Sequence, residues 1–301
     1  MSQLSAAERD AWRASVAAVV ARCAAGGSWD ALFDLGVAEI GLEDLAVAIE
    51  ECGAVPVATP LLGHMFGLRA LHAAPASPER DRLLAGRQRL ALVLPGGWVL
   101  EGGAADWFVV AAGTGLSVVP AGRADRRPLS TLEPSRVLWR VEFDGSAATR
   151  LGDWHEERLR AELAALVAAD SIGGARAVLR DVVAYARQRM QFGRPIGSFQ
   201  AVKHRLADVS SQLDGAVAAV EYALRRLDLG APDATPAASV AKLAAVDAYL
   251  AVAEGAIQTY GGIGFTWEHP AHIFLKRAHT NSQLVGGAAS HLELVAGLAG
   301  I

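Results

Sequence analysis

The chain has 301 residues, of which 52% are hydrophobic and 20% are charged. Such a composition supports a large buried core and excludes an intrinsically disordered chain. The net charge is −4 and no basic block is present, so we expect no nucleic-acid partner. The N-terminus lacks a signal-peptide pattern, and no run approaches the roughly 20 apolar residues of a membrane helix. We therefore expect a cytoplasmic protein without a membrane partner.

Helical patterns fill the first part of the chain. Ser5 and Glu8 form a capping box, because the hydroxyl and the carboxylate can each satisfy a free amide at a helix start. Further helices are predicted over residues 29–35, 42–51, 60–71 and 78–84. These patterns predict an N-terminal helical domain over residues 1–88.

The hydrophobic pattern then changes to short runs of aliphatic and aromatic residues separated by glycine and proline. Strands are predicted over residues 90–94, 98–100, 107–111, 116–119 and 137–143. The sequence thus predicts a reduced, antiparallel middle β domain over residues 89–150, which is too small to stand alone.

Long helical patterns return in the last part of the chain. The first predicted helix covers residues 155–190, the second starts at the cap Ser198, and the third covers residues 235–260. A fourth starts near residue 266 or 270 and runs toward residue 298, with Gly286 and Gly287 as a point where it can break. Four long helices with short links predict an antiparallel bundle over residues 151–301. The predicted fold class is mainly α with a small β middle domain.

Cysteines and histidines offer little evidence for a metal site. Cys23 and Cys52 are too few for a disulfide framework or a thiolate metal site, and we expect both to be buried. Glu268, His269 and His272 lie close together, but their order matches no zinc motif and a proline interrupts them. The sequence therefore predicts no metal.

An arginine-rich segment ends the first long C-terminal helix. Arg187, Arg189 and Arg194 surround Phe192 and Gly193, which offers guanidinium forks for phosphate and a flat face for a ring. An anionic cofactor suits this pattern, and a solvated helix end favoured by the helix dipole is the alternative. A second glycine-rich segment, residues 260–265, follows a helix rather than a strand, so it indicates a helix end and a tight turn rather than a dinucleotide fold.

The segments Tyr185–Asp208 and Ile257–Pro270, the latter followed by Phe274–Arg277, resemble two signatures of the acyl-CoA dehydrogenase family in matching order and distance. The resemblance covers residues 155–301, and residues 98–107 are a weaker echo of the family's middle β domain. The family has the same order of helical, β and helical domains that the patterns predict here.

Members of this family bind FAD between subunits, and the C-terminal bundle of one subunit contacts the adenine and pyrophosphate side of a neighbour's flavin. By motif position, the resemblance implies cofactor contacts at Arg189, Phe192, Gln200, Gln258, Gly261 and Gly262. It implies that Arg189 meets the pyrophosphate, that Phe192 packs against the cofactor, and that the two glycines admit the dinucleotide close to the backbone.

The catalytic base is the main departure from the family. In many members a glutamate lies nine residues after the arginine that matches Arg277, and this position is Gly286 here. Other members place the glutamate where this chain has Leu163; the neighbouring Glu162 is rotated by about 100° around a helix, and a solvated helix face is its other interpretation. Glu268 matches a position where the family also has an acid, and it is either structural or the base. The base therefore stays unknown, with Glu162 and Glu268 as weak candidates.

The middle domain departs as well. The family's flavin-lining Thr-Glu-Pro and Gly-Ser-Asp segment has no counterpart between Leu90 and Trp98, and the threonine of its Trp-x-Thr element is Leu100 here. The resemblance therefore implies a subunit of an acyl-CoA dehydrogenase that contacts FAD across an interface without supplying the base. It is similar to the short subunits of the actinobacterial α2β2 dehydrogenases of sterol degradation.

This interpretation implies a longer dehydrogenase paralogue as partner, an acyl-CoA substrate that can be sterol-derived, and an electron acceptor such as an electron-transfer flavoprotein. Two alternatives stay open. One is a self-sufficient FAD enzyme that uses Glu162 or Glu268, and the other is a flavin-free acyl-CoA-binding or scaffold protein. The small residues at 173–175 and 216–219 allow close helix packing, either between subunits or within one chain.

Overall fold

The computed structural model describes residues 4–37, 40–86, 88–94 and 96–300. The chain forms two compact units, one of residues 1–56 with 164–301 (unit 1) and one of residues 57–163 (unit 2). One long helix contributes residues to both. The division into three domains at residues 88 and 150 stays a prediction. Within the described residues, no helix combines the length and the apolar character needed to cross a membrane.

The helices largely follow the hydrophobic pattern. They are α1 (Ala6–Ala24), α2 (Asp30–Phe33), α3 (Leu42–Gly53), α4 (Leu61–Ala73), α5 (Pro78–Ala85), α6 (Glu156–Gln188), α7 (Gln200–Asp228), α8 (Ala234–Tyr260), α9 (Ala271–Gln283) and α10 (Ala288–Ala299). The capping box forms, since Ser5 accepts from the Glu8 amide and the Glu8 carboxylate accepts from the Ser5 amide. The predicted fourth bundle helix breaks at Gly286 and Gly287, so α9 and α10 are separate helices.

Unit 2 contains the main strands. They are β1 (Leu90–Val93), β2 (Trp98–Leu100), β3 (Trp107–Ala112), β4 (Gly115–Pro120), β5 (Ala124–Pro128), β6 (Leu138–Phe143) and β7 (Thr149–Asp153). They form one sheet in the order β1-β3-β4-β7 and another in the order β2-β6-β5. The prediction of a purely antiparallel unit is wrong, because β1 pairs with β3 in parallel.

A helix closes over the edge of the first sheet in unit 2. Gly67 of α4 lies so near β1 that a Cβ there would be 2.7 Å from the Ala91 nitrogen. Nearby, the Leu90 amide donates to Nδ1 of His64 at 2.9 Å. Burial lowers the pKa of His64 to about 4, so this imidazole is a neutral acceptor at physiological pH.

Unit 1 is organised around a close crossing of α3 and α6. A Cβ at Gly173 would overlap the Glu50 carbonyl oxygen and lie 2.8 Å from the Glu50 Cα, and one at Gly53 would overlap the Asp170 carbonyl oxygen. The glycines therefore let two helix backbones touch. The sequence left open whether the small residues at 173–175 pack between subunits or within one chain, and the structure shows packing within the chain.

Buried polar groups hold this crossing together. The Asn281 side-chain amide donates to the Asp170 carboxylate at 2.8 Å and to Ser171 Oγ at 2.9 Å. Arg277 donates to the Gly53 carbonyl at 3.0 Å. These bonds join α3, α6 and α9, so polar contacts stabilise the crossing of these helices in addition to apolar packing. Cys23 and Cys52 are both buried and free, as predicted.

Candidate functional site

The arginine-rich segment folds into a short ribbon directly after α6. Strands β8 (Met190–Gln191) and β9 (Arg194–Pro195) pair in antiparallel fashion, and Phe192 and Gly193 form the two-residue loop between them. Both loop residues have positive φ, 52° at Phe192 and 76° at Gly193, as a tight hairpin turn of type I′ requires. The turn leaves the Phe192 side chain 90% exposed.

Arg189 stands at the base of this ribbon. Its amide donates to the Tyr185 carbonyl and its carbonyl accepts from the Ile196 amide, each at 2.8 Å, so its backbone is fixed. Its side chain is exposed and makes no hydrogen bond or ion pair with any part of the chain that the structure describes. No acidic residue occurs between residues 182 and 207, so the guanidinium is available to an external anion.

The ribbon brings a third predicted residue close. The Phe192 ring packs edge-to-face against Phe199 at a centroid distance of 6.1 Å, and the Arg194 guanidinium lies 4.1 Å from the Phe199 ring centroid. Gln200 follows Phe199 as the first residue of α7, and its side chain is exposed. The structure therefore gathers Arg189, Phe192 and Gln200 at one surface.

The second glycine-rich segment forms a turn after α8. Gly261 ends the helix with φ 67°, and residues Gly261–Phe265 continue as a short 3-10 helix. A Cβ built at Gly261 or Gly262 would meet no atom within 4 Å, so the backbone there is open to a ligand. Gln258 is exposed in the last turn of α8. This arrangement is the helix end and tight turn that the sequence predicts.

Stacked rings connect the two segments. The Tyr185 and Tyr260 ring centroids are 4.9 Å apart, and the Tyr260 and His269 centroids are 4.1 Å apart. Tyr185 lies one helical turn before Arg189, and Tyr260 directly precedes Gly261. All six predicted cofactor residues therefore belong to one exposed surface of unit 1, formed by residues 189–200 and 258–267, which we call the clamp surface.

The two candidate bases differ in their surroundings. Glu162 is only 4% exposed, and its carboxylate accepts from Arg69 at 2.8 Å and from Arg158 at 3.1 Å. A solvated helix face is thus the wrong interpretation for Glu162. Both of its carboxylate oxygens are therefore engaged by guanidinium groups of the same chain. Glu268 is exposed and has no hydrogen-bond partner within the described residues, so nothing there orients it.

The position of the family glutamate is part of a fixed turn. Gly286 has φ 101° and follows Val285 at φ 61°. The buried Lys242 ammonium donates to the Gly286 carbonyl. Nε2 of His291 lies 3.2 Å from the Val285 carbonyl oxygen, and its Nδ1 lies 3.0 Å from Ser239 Oγ. The turn between α9 and α10 is therefore anchored to α8 through its backbone and offers no proton acceptor from a side chain.

The residues present fit one half of a flavin dinucleotide. An unpaired arginine suits a pyrophosphate, an exposed ring suits a planar group, and open glycines suit a close backbone approach. The ring-lining half does not fit, because Leu100 is 3% exposed and sits in the core of unit 2 rather than facing a ligand.

Sequence reasoning missed two further residues at the clamp surface. Phe265 and Trp267 follow the glycine-rich turn, and both are largely exposed. The signal was present, since large apolar residues alternate with small or polar ones from Ile263 to Trp267.

Comparisons with known proteins identify the family of the chain. Residues 158–298 match the family described as "Acyl-CoA dehydrogenase, C-terminal domain". The chain is 38% identical over 254 residues to acyl-CoA dehydrogenase IpdE2 of Mycobacterium tuberculosis, covering 84% of this chain and 76% of that protein.

Solved structures share the fold over nearly the whole chain. The ChsE4-ChsE5 complex from Mycobacterium tuberculosis has a chain that matches with a TM-score of 0.83 at 21% identity, covering 100% of this chain and 99% of that one. A variant of the Tcur3481-Tcur3483 steroid ACAD matches with a TM-score of 0.84 at 22% identity, covering 97% of this chain and 98% of that one. The sequence match to IpdE2, the matched C-terminal domain and the shared fold show that the chain belongs to the acyl-CoA dehydrogenase family, a family of flavin-dependent oxidoreductases.

Proposed function

We propose that the chain is a subunit of a heteromeric, FAD-dependent acyl-CoA dehydrogenase, in which it binds the nucleotide tail of a flavin and a longer subunit supplies the catalytic base. One observation carries the proposal. Arg189 is exposed, unpaired and rigidly placed beside Phe192, while Gly286 occupies the base position in a turn anchored by Lys242. In the described part of the chain, the clamp surface has a place for an anion, whereas neither Gly286 nor Glu268 offers a positioned carboxylate for proton abstraction.

Each residue of the clamp surface has a task in this proposal. Arg189 binds the pyrophosphate by charge-assisted hydrogen bonds, and Phe192 excludes water from one side of the cofactor. Gly261 and Gly262 let the dinucleotide reach the backbone, and Gln200 and Gln258 offer amide groups to its polar atoms. A bound flavin supplies the hydride acceptor for α,β-desaturation of an acyl-CoA thioester.

The substrate class follows from similarity. The Tcur3481-Tcur3483 protein is described as a steroid ACAD, and the ChsE4-ChsE5 structure is a complex of two differently named chains. On this basis we propose a bulky, steroid-derived acyl-CoA as substrate and a longer acyl-CoA dehydrogenase chain as partner. The resemblance to the family adds an electron-transfer flavoprotein as the proposed acceptor.

Substitution of Arg189 tests the cofactor role. In the complex with a longer dehydrogenase subunit, Arg189→Ala should weaken FAD binding about 10- to 100-fold, because a hydrogen bond to a charged group contributes roughly 1.5–3 kcal/mol. The measurement is the Kd for FAD added to the flavin-free complex. Arg180→Ala is the matched control, since Arg180 is an arginine of α6 nine residues before Arg189 and is paired with Asp181 at 3.1 Å. Equal FAD affinity for the Arg189 variant and the wild type would contradict the proposal.

The missing base has a separate test. The purified chain alone should not oxidise an acyl-CoA, and Glu162→Gln should leave the turnover of the complex unchanged. If the chain alone is yellow and reduces an electron acceptor, it is a self-sufficient enzyme. Loss of turnover in the Glu162 variant, with the flavin retained, would identify that carboxylate as the base instead.

A further inference from the structure

The turn after α8 presents a pair of large aromatic side chains to solvent. Phe265 is 72% exposed and Trp267 is 76% exposed, and both belong to the clamp surface, as does Phe192 at 90%. Since an aromatic side chain covers about 150–250 Å², the three rings expose on the order of 500 Å² of apolar area. The largest apolar patch of a typical monomer is about 300–600 Å² and is often functional.

Trp267 is held in place rather than free to rotate. Its ring packs edge-to-face with His272 at a centroid distance of 4.6 Å, and the Lys276 ammonium lies 4.9 Å from its ring centroid. His272 and Lys276 are four residues apart, so they lie on one face of α9, and the indole packs against that face. The rest of the indole is open to solvent, which accounts for its high exposure.

His272 gives an independent reason to regard this contact as built for binding. Its side chain is 8% exposed, and Nε2 is buried without a hydrogen-bond partner in the described part of the chain. Burial and the nearby Lys276 lower the pKa of His272, so the imidazole that packs edge-to-face with the indole is neutral. A buried nitrogen without a hydrogen bond lowers the stability of the fold. Packing against an exposed indole does not offset that loss, so folding alone does not explain the arrangement.

We infer that Trp267 is the anchor residue of the subunit interface, and that its occupant is the longer acyl-CoA dehydrogenase chain of the proposed complex. This inference rests on the proposed function. Interfaces concentrate their binding energy in a few tryptophan, tyrosine and arginine residues near the centre of a desolvated patch. The exposed rings provide more than half of the about 800 Å² that each partner contributes to a standard interface.

Charge favours a different chain over a second copy as the occupant. The ribbon and the end of α6 before it have Arg187, Arg189 and Arg194, which outnumber the acids beside this surface, Asp181 and the exposed Glu268. A two-fold contact of this surface with itself would bring two such clusters together, which is repulsive. A two-fold dimer could avoid this repulsion if the clamp surface of one copy met a flavin-lining region on the other copy. The described part of the chain lacks such a region, because Leu100, at the position that lines the flavin ring in the family, is buried. A longer chain that contains the flavin-lining region avoids both the repulsion and this lack.

The experiment mixes the full chain with a longer acyl-CoA dehydrogenase chain of the same organism that has the family glutamate and the flavin-lining segment, each purified separately. Trp267→Ala should weaken the heteromer at least about 30-fold, the loss expected for an anchor residue, as measured by the Kd between separately purified subunits. Leu229→Ala is the matched control, because Leu229 is 66% exposed at the end of α7, outside the clamp surface, and should change the Kd little. Thermal unfolding of each single chain checks that both variants fold.

Other outcomes separate this inference from the proposed function. If Trp267→Ala leaves the heteromer intact and also leaves its FAD affinity unchanged, the anchor role is refuted while the cofactor role stands. If the variant keeps the heteromer but loses FAD, Trp267 touches the cofactor and the inference is wrong. A wild-type chain that forms a homodimer, with Trp267→Ala returning it to a monomer, would identify a second copy as the occupant. If the wild-type chains neither associate nor bind FAD, the proposed function fails first.

Discussion

The crossing of α3 and α6 gives a quantitative test of the fold. Gly173→Ala adds one methyl group at a point where the Glu50 backbone already occupies the space, with the Glu50 Cα only 2.8 Å from the new carbon. A shift of α3 would disturb the Arg277 bond to Gly53, and a shift of α6 would disturb the Asn281 bond to Asp170. Overpacking of this kind costs about 1–3 kcal/mol and occasionally more, whereas replacement of glycine in a helix returns about 1 kcal/mol.

We expect the steric cost to dominate, with a net loss of about 2 kcal/mol and a decrease in Tm of about 4–8 °C for a unit of this size. Circular dichroism during heating measures it. Gly215→Ala in α7 is the matched control, because its new methyl group would meet no atom within 4 Å. That variant should gain about 1 kcal/mol from helix propensity alone. A Gly173 variant as stable as the Gly215 variant would show that the two helices do not touch at this point.

The remaining predictions concern a helix cap and a buried imidazole. The Asp228 carboxylate accepts from the first two amides of α3 at 3.1 Å each, so Asp228→Ala should lower the stability by about 1 kcal/mol, measured by urea unfolding against Asp228→Asn. His64 has a pKa lowered to about 4 by burial, so its contribution to stability is complete above pH 6.5 and is lost as the pH falls from 6.5 toward 4. Thermal unfolding across that pH range should show a weaker slope for His64→Gln, and an unchanged slope would show that His64 is not the group responsible.

Local patterns predicted the helices well because their signals are short-range. The capping box at Ser5, the break at Gly286 and the turn after Tyr260 depend on residues within a few positions of one another. The clamp surface was predictable too, since Arg189 and Phe192 belong to one segment. The pattern alone left two interpretations of this segment open, a cofactor site and a solvated helix end. The resemblance to a known family favoured the cofactor site.

Features that depend on distant contacts were not predictable. The parallel pairing of β1 with β3 is decided by how the intervening β2 joins the other sheet, which no local pattern encodes. Strand β5 is mostly exposed and rich in arginine, so it lacks the alternation that marks a strand. Glu162 is buried because Arg69, 93 residues away, provides its partner, and nothing near Glu162 in the sequence indicates that pairing.

Folding and binding make opposite demands on the clamp surface, and this contrast is the strongest argument for a function there. A phenylalanine at φ 52° is strained by about 1–2 kcal/mol relative to an ordinary backbone conformation, and exposure of 90% of its side chain forgoes the gain from burial. Gly286 shows the converse: its φ of 101° suits glycine, and a buried ammonium is satisfied by its carbonyl. Val285 in the same turn is strained as well, at φ 61°, but that turn is paired with Lys242 and His291, whereas the Phe192 ring lies in solvent. We therefore expect a ligand or a partner to cover Phe192 in the proposed complex.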